Sequence, residues 1–219
     1  CDWPVTVLDN FDTRPFTKRM KGVKVLNNRK QQLINFDEEL AFFPDKCWDM
    51  AKKSNYGSVK HMMSVQYLFD VLPDGFILVE SDVLITQPFD FLWDEQYAAC
   101  GKAQWFRGRR IEHDRLLPWL CYLNVPLLTA NGAKYYDPNR SWGLQPGGTE
   151  NTNNWYDTGA SILEDIINIK PQLTARLYPD LDKYFVHYCG GSWRGNDIKS
   201  QAEWLTKYEK YWSKPNGKK

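Results

Sequence analysis

Four consecutive apolar residues, Phe76-Ile-Leu-Val79, stop abruptly at two carboxylates, Glu80 and Asp82, and no other stretch of the chain restricts the fold as much. The run is bounded by Pro73-Asp74-Gly75 before it and by Glu80-Ser-Asp82 after it. An unbroken apolar run of this length between turn signals predicts a central strand covered on both faces. Upstream, Ser58 is expected to cap a helix running to about Leu72. Val59, Met62, Met63 and Tyr67 fall at helical spacing there, and Val65, Leu68, Phe69 and Leu72 add a second apolar face. Residues 5–8 and 23–26 are β-branched runs ending in Asp9-Asn10 and Asn27-Asn28, consistent with parallel strands that feed polar loops. Residues 97–101, 120–128 and 184–187 read as strands, and 158–167 and 201–212 as helices. Strands alternating with helices predict an α/β fold with a mostly parallel central mixed sheet flanked by helices.

The chain has 219 residues, no internal repeat and no linker-like break, so one domain is expected. Apolar residues at 42% and charged residues at 25% exclude a disordered chain. A net charge of +1 leaves no global field for a polyanion, which argues against a dedicated nucleic-acid binder. The one basic stretch, with Arg107, Arg109, Arg110 and His113, is expected as an exposed loop or helix. No apolar run approaches the roughly 20 residues that span a bilayer. Five cysteines, an odd number with no CxxC pair, fit reduced thiols in a cytoplasmic protein better than disulfides or a zinc site. No signal peptide is apparent, and a first residue of Cys fits a piece of a longer, multidomain chain. Ten Trp and twelve Tyr suit stacking on sugars, although core packing accounts for most of them.

The chemistry begins at the strand end. Open α/β sheets bind ligands beyond the carboxyl ends of their strands, which is where Glu80 and Asp82 fall. Carboxylates are rarely buried without a partner, and a divalent cation such as Mg²⁺ or Mn²⁺ is the natural one. The competing reading, a turn with two solvated acids, sits poorly with apolar residues on both sides. His187-Tyr-Cys-Gly190-Gly-Ser-Trp193 adds an imidazole that suits Mn²⁺-type ions and a glycine pair that lets backbone approach a phosphate. A lone His at a strand end is more often structural, and His187 takes its weight from the two acids. In Asn154-Trp-Tyr-Asp157-Thr-Gly159, Asp157 reads either as a helix N-cap or as a general base aimed at a hydroxyl, and the residues alone favour the cap. Residues 137–154 are rich in Gly, Asn and Pro without periodicity, as functional loops of that length often are.

Together these segments resemble the GT-A fold, metal-dependent nucleotide-sugar glycosyltransferases, of the small kind found in bacteria and large DNA viruses. The apolar strand, Glu80-Ser-Asp82, Val83-Leu-Ile85 and Pro88 resemble that family's DxD motif. Glu80 stands where the pattern prefers Asp, while Asp82, the position that usually holds the metal, is kept. Gln87-Pro-Phe-Asp-Phe-Leu and Tyr97-Ala-Ala-Cys-Gly101 resemble the segment after the motif. His187-x-x-Gly190 with Trp193 resembles the C-terminal motif that ligates the same metal, and Trp155-Tyr-Asp157-Thr-Gly159 the acceptor side. The likeness runs from Val5 to Trp193. It implies one GT-A domain over residues 1–213, with 1–101 the nucleotide-sugar-binding half, 102–200 the acceptor-side half, and 214–219 a disordered tail.

The same resemblance implies that Asp82, His187 and Glu80 hold Mn²⁺ or Mg²⁺. Asp9, Lys60, Glu80, Gly190, Ser192 and Trp193 would contact the donor, with Asp9 near the uracil and Lys60, at a helix start, reaching the diphosphate. Asp157 would take the acceptor proton if the reaction inverts configuration, and residues 137–154 would close over the donor. The implied reaction moves a sugar from a UDP-sugar to a glycan or glycoprotein hydroxyl. Two alternatives are a sugar-nucleotide nucleotidyltransferase and a non-catalytic carbohydrate-binding domain. The first lacks its Gly-rich basic loop in residues 1–30, and the second predicts sugar binding without metal.

Overall fold

A computed structural model describes residues 3–10, 22–41, 49–105, 114–141, 156–188 and 198–209. Its strands are β1 (Val5–Asp9), β2 (Val23–Asn27), β3 (Phe76–Val79), β4 (Val83–Ile85), β5 (Ala99–Gly101), β6 (Ala103–Gln104), β7 (Arg115–Leu116), β8 (Leu120–Leu123), β9 (Ala175–Leu177) and β10 (Phe185–His187). Its helices are α1 (Phe36–Ala41), α2 (Asp49–Val71), α3 (Val125–Ala130), α4 (Pro138–Ser141), α5 (Ala160–Glu164) and α6 (Ile198–Lys207).

The architecture is mixed α/β, and among the described residues the strands form four small sheets, without a clear central sheet that is mostly parallel. β1 and β2 pair in parallel, as the two β-branched runs suggested. The largest sheet has the order β3-β8-β5-β9, and only its β5–β9 pair is parallel. β4 leaves that sheet to pair antiparallel with β10, and β6 pairs antiparallel with β7. Alternating strands and helices along a sequence do not fix which strands become neighbours, and here four of the six described pairings are antiparallel. The strand expected at the centre, β3, lies at the end of the described sheet, with Val79 exposed. The fully buried strands among the described residues are β8, Leu120-Cys-Tyr-Leu123, and its neighbour β5, Ala99-Cys-Gly101.

Two apolar layers sandwich this sheet. On one side α2 (Val59, Met62, Val65, Phe69), α3 (Val125, Leu128) and α5 (Ile162, Leu163) pack with the buried Tyr135. On the other side Leu92, Leu120, Tyr122, Leu181 and Phe185 form a second cluster, with Val83 and Ile85 of β4 packed on it. Each fully buried Leu or Phe removes enough apolar surface from water to contribute roughly 1.5–3 kcal/mol. Cys100 and Cys121 are free, buried thiols in these layers, and burial raises the Cys100 thiol to about 11. No helix among the described residues is long and apolar enough to cross a membrane.

Several expected boundaries move, among them the last helix, expected over 201–212 and found as α6 from Ile198 to Lys207. α2 starts at Asp49, nine residues before Ser58, which lies buried within the helix. Met50, Ala51, Lys52 and Lys53 are good helix formers, whereas the apolar stripe begins only at Val59. Lys60 is therefore not at a helix N-terminus. The expected strand 120–128 breaks at Asn124, whose side-chain oxygen accepts the Leu127 N–H at 3.1 Å and caps α3, with Pro126 in the first turn. The helix expected over 158–167 is α5, whose last turn widens over Asp165–Ile169. Its entry is fixed by Gly159, at φ +80°, where a Cβ would collide with the Leu116 carbonyl.

Candidate metal centre

The junction between Phe76–Val79 and the two acids is a tight turn. The Glu80 N–H donates to the Trp119 carbonyl at 3.3 Å, continuing the β3–β8 ladder by one bond, and the Val83 N–H donates back to the Glu80 carbonyl at 3.1 Å. Both acids thus leave the same corner. The strand that follows, β4, is opposed by β10 with His187 across from Val83, and the Tyr188 N–H donates to the Asp82 carbonyl at 2.9 Å. This register carries His187, more than a hundred residues away in sequence, to the acids.

His187 Nε2 lies 3.3 Å from Asp82 Oδ1 and 3.7 Å from Glu80 Oε2. One donor atom from each of Glu80, Asp82 and His187 lies within 4.8 Å of the others. All three side chains are mostly buried, with exposures of 20%, 19% and 11%. The indole of Trp119 stacks on the His187 ring at 4.2 Å and 24°, fixing the plane of the imidazole. Burial and the neighbouring Asp82 raise the Glu80 carboxyl from 4.5 to about 7, against the opposing pull of Arg115. Two acids pressed together in a half-buried corner repel one another, Arg115 offsets this only in part, and a divalent cation would offset the rest. Two hard carboxylates with one imidazole make a donor set that fits Mn²⁺ well and accommodates Mg²⁺.

A second histidine adjoins the centre. His61, on α2, faces the other oxygen of Glu80, with Nε2 3.3 Å from Oε1. Its Nδ1 is buried and has no hydrogen-bond partner among the described residues. Burial lowers this imidazole to about 4, so it is neutral at pH 7. The sequence reading passed over His61. It heads an i, i+4, i+8 stripe with Val65 and Phe69, both buried, and an imidazole in such a stripe is the signal that would have found it.

Arg115 forms an ion pair with Asp157, and its Nε donates to Gln104 Oε1 at 2.8 Å. The other Asp157 oxygen accepts the Thr158 N–H at 2.7 Å. Asp157 thus sits just ahead of α5, whose cap position is taken by Gly159, and its carboxylate is occupied by a guanidinium and a backbone amide. The β1/β2 pair meets α2 through a chain of amides. Asn28 donates to Asn10, Asn10 donates to Ser64, and the Asn28 oxygen accepts the Leu33 and Ile34 N–H groups at 2.8 Å. Beside them a cavity of about 100 Å³ is lined by Asn10, Asn28, Gln31, Phe36 and Lys60. Asp9 immediately precedes it, with its carbonyl accepting the Asn28 N–H at 2.8 Å, and the Lys60 ammonium lies over the Phe36 ring at 5.4 Å.

The structure therefore brings Glu80, Asp82 and His187 together and puts Lys60 and Asp9 at the end of the β1/β2 pair. Gly190, Ser192 and Trp193, together with Trp155, residues 142–154 and the Arg107–His113 segment, lie outside the described residues. Compared with known proteins, the chain matches no protein-family model, no curated protein and no solved structure.

Proposed function

We propose that the protein is a metal-dependent glycosyltransferase that moves a sugar from a nucleoside-diphosphate donor, a UDP-sugar, to a glycan or glycoconjugate hydroxyl. The observation that carries this reading is the convergence of Glu80 and Asp82 with the distant His187 in one half-buried corner. Asp82, His187 and Glu80 would hold Mn²⁺ or Mg²⁺. When bound, the ion supplies Lewis-acid stabilisation of the charge that builds on a departing diphosphate, an effect worth several kcal/mol.

The chain's own groups account for the rest. Trp119 keeps the imidazole in plane, so that His187 Nε2 stays aimed at Asp82. Arg115, close enough to act on the Glu80 carboxyl, provides a fixed positive charge beside the acids, and Asp157 and Gln104 set its orientation. The small cavity beside Lys60 is lined by the amides of Asn10 and Gln31, groups suited to the polar edge of a base or a ribose, while the amide of Asn28 is spent on bonds within the protein. The acceptor-base role of Asp157 requires its release from Arg115, because a carboxylate held by a guanidinium is a weakened base.

The test is release of UDP and transfer to acceptor from a panel of UDP-sugars, with and without Mn²⁺. The reading expects metal-dependent release that is lost in Asp82→Ala and His187→Ala while both variants keep a cooperative melt. Equal release in saturating EDTA would overturn it.

A further inference from the structure

We propose that His61 is a positioning residue for the metal centre: it holds Oε1 of Glu80 so that Oε2 alone is presented to the ion. The inference rests on the metal reading above and adds to it a residue from an element that carries none of the three ligands.

The geometry divides the two oxygens of one carboxylate between two imidazoles. Oε1 faces His61 Nε2 at 3.3 Å, and Oε2 faces His187 Nε2 at 3.7 Å. A glutamate has a long side chain whose terminal torsion is broad, so an unsupported carboxylate turns freely or swings to bind through both oxygens. A donor fixed on one oxygen removes that freedom. His61 is itself fixed. It sits one turn ahead of the buried Val65 on α2, and the ring of Tyr135, fully buried, lies 6.5 Å from its own. Tyr135 in turn is tied to the same helix, because Gln66 Oε1 accepts the Tyr135 and Tyr136 N–H groups at 2.8 and 3.2 Å. Nδ1 is buried without a hydrogen-bond partner among the described residues, whereas Nε2 has the Glu80 carboxylate 3.3 Å away, an arrangement that favours the proton on Nε2.

Two other assignments fit less well. His61 is not a fourth ligand, because the group of donor atoms that converge within 4.8 Å consists of Glu80, Asp82 and His187. Nor is it only core filling, since its Nε2 is directed at a carboxylate and not at the apolar layer. Groups that hydrogen-bond a ligating carboxylate commonly control metal affinity by about 10- to 100-fold.

The experiment measures Mn²⁺ binding to the full chain by the loss of the free-ion EPR signal, together with the metal-free melting temperature. His61→Met fills the volume without a donor, and His61→Gln returns an N–H at nearly the same place. His61→Met is expected to weaken Mn²⁺ binding about 10- to 100-fold, and His61→Gln to restore most of it. In a Glu80→Gln background, His61→Met is expected to add nothing, because the residue acts through Glu80. A dissociation constant for His61→Met within twofold of the parent overturns the inference. So does an equal loss in the Met and Gln variants, or a loss that persists undiminished beside Glu80→Gln. Failure of the parent chain to bind Mn²⁺ is a different result, which removes the metal reading itself.

Discussion

Glu80 carries the most information of any single residue. Its carboxyl is raised from 4.5 to about 7 in the folded protein, so the metal-free fold binds a proton there that the unfolded chain has already lost. The sign follows: this contribution is fully present below about pH 4.5 and is lost as pH rises through about 7. Glu80→Gln, a permanent mimic of the neutral acid, should raise the metal-free melting temperature at pH 8, by an amount corresponding to at most about 3 kcal/mol. The gain should vanish near pH 4.5, and a thermal melt across that range checks it. His61 works in the opposite direction, with stability lost as pH falls from 6.5 towards 4, in the parent and in the Glu80→Gln variant alike. At this scale the sequence was partly legible. Acids at a strand end signal a ligand site because burial makes them costly, so Glu80, Asp82 and His187 could be named in advance. His61 could not, because nothing in its local sequence says that α2 leans on the acid corner.

At the scale of elements, apolar runs and turn residues located most strands, while pairing partners escaped them. The residues of β3 and β8 are equally apolar, and only the tertiary arrangement puts β8 inside and β3 at the end of the described sheet. Helix starts were misjudged where the amphipathic stripe begins late, as at Val59, and a strand was overextended through Asn124 because its cap resembles any other polar residue. The Gly159 corner gives a sharp prediction. Its φ of +80° and the Leu116 carbonyl against its missing side chain make Gly159→Ala destabilising by about 3 kcal/mol or more, read by denaturant unfolding. Since Arg115 neighbours Leu116 and Asp157 lies two residues before Gly159, that variant should also loosen the Arg115–Asp157 pair.

For the whole molecule, a bound ion would act as a global stabiliser. Ligands that bind only the folded state add RT ln(1 + [L]/Kd), about 2.7 kcal/mol at one hundred times Kd. Mn²⁺ should therefore raise the melting temperature of the parent chain by several degrees, with EDTA reversing the shift and His187→Ala abolishing it. The antiparallel pairing of β4 with β10 has a further consequence for how such a protein is made. Chains emerge from the ribosome amino end first, at about 5–20 residues per second. A nascent polypeptide halted midway already carries both acids and His61 but not His187, the third member of the cluster. On the metal reading proposed above, competence to capture a cation would arrive only once β10 has been made.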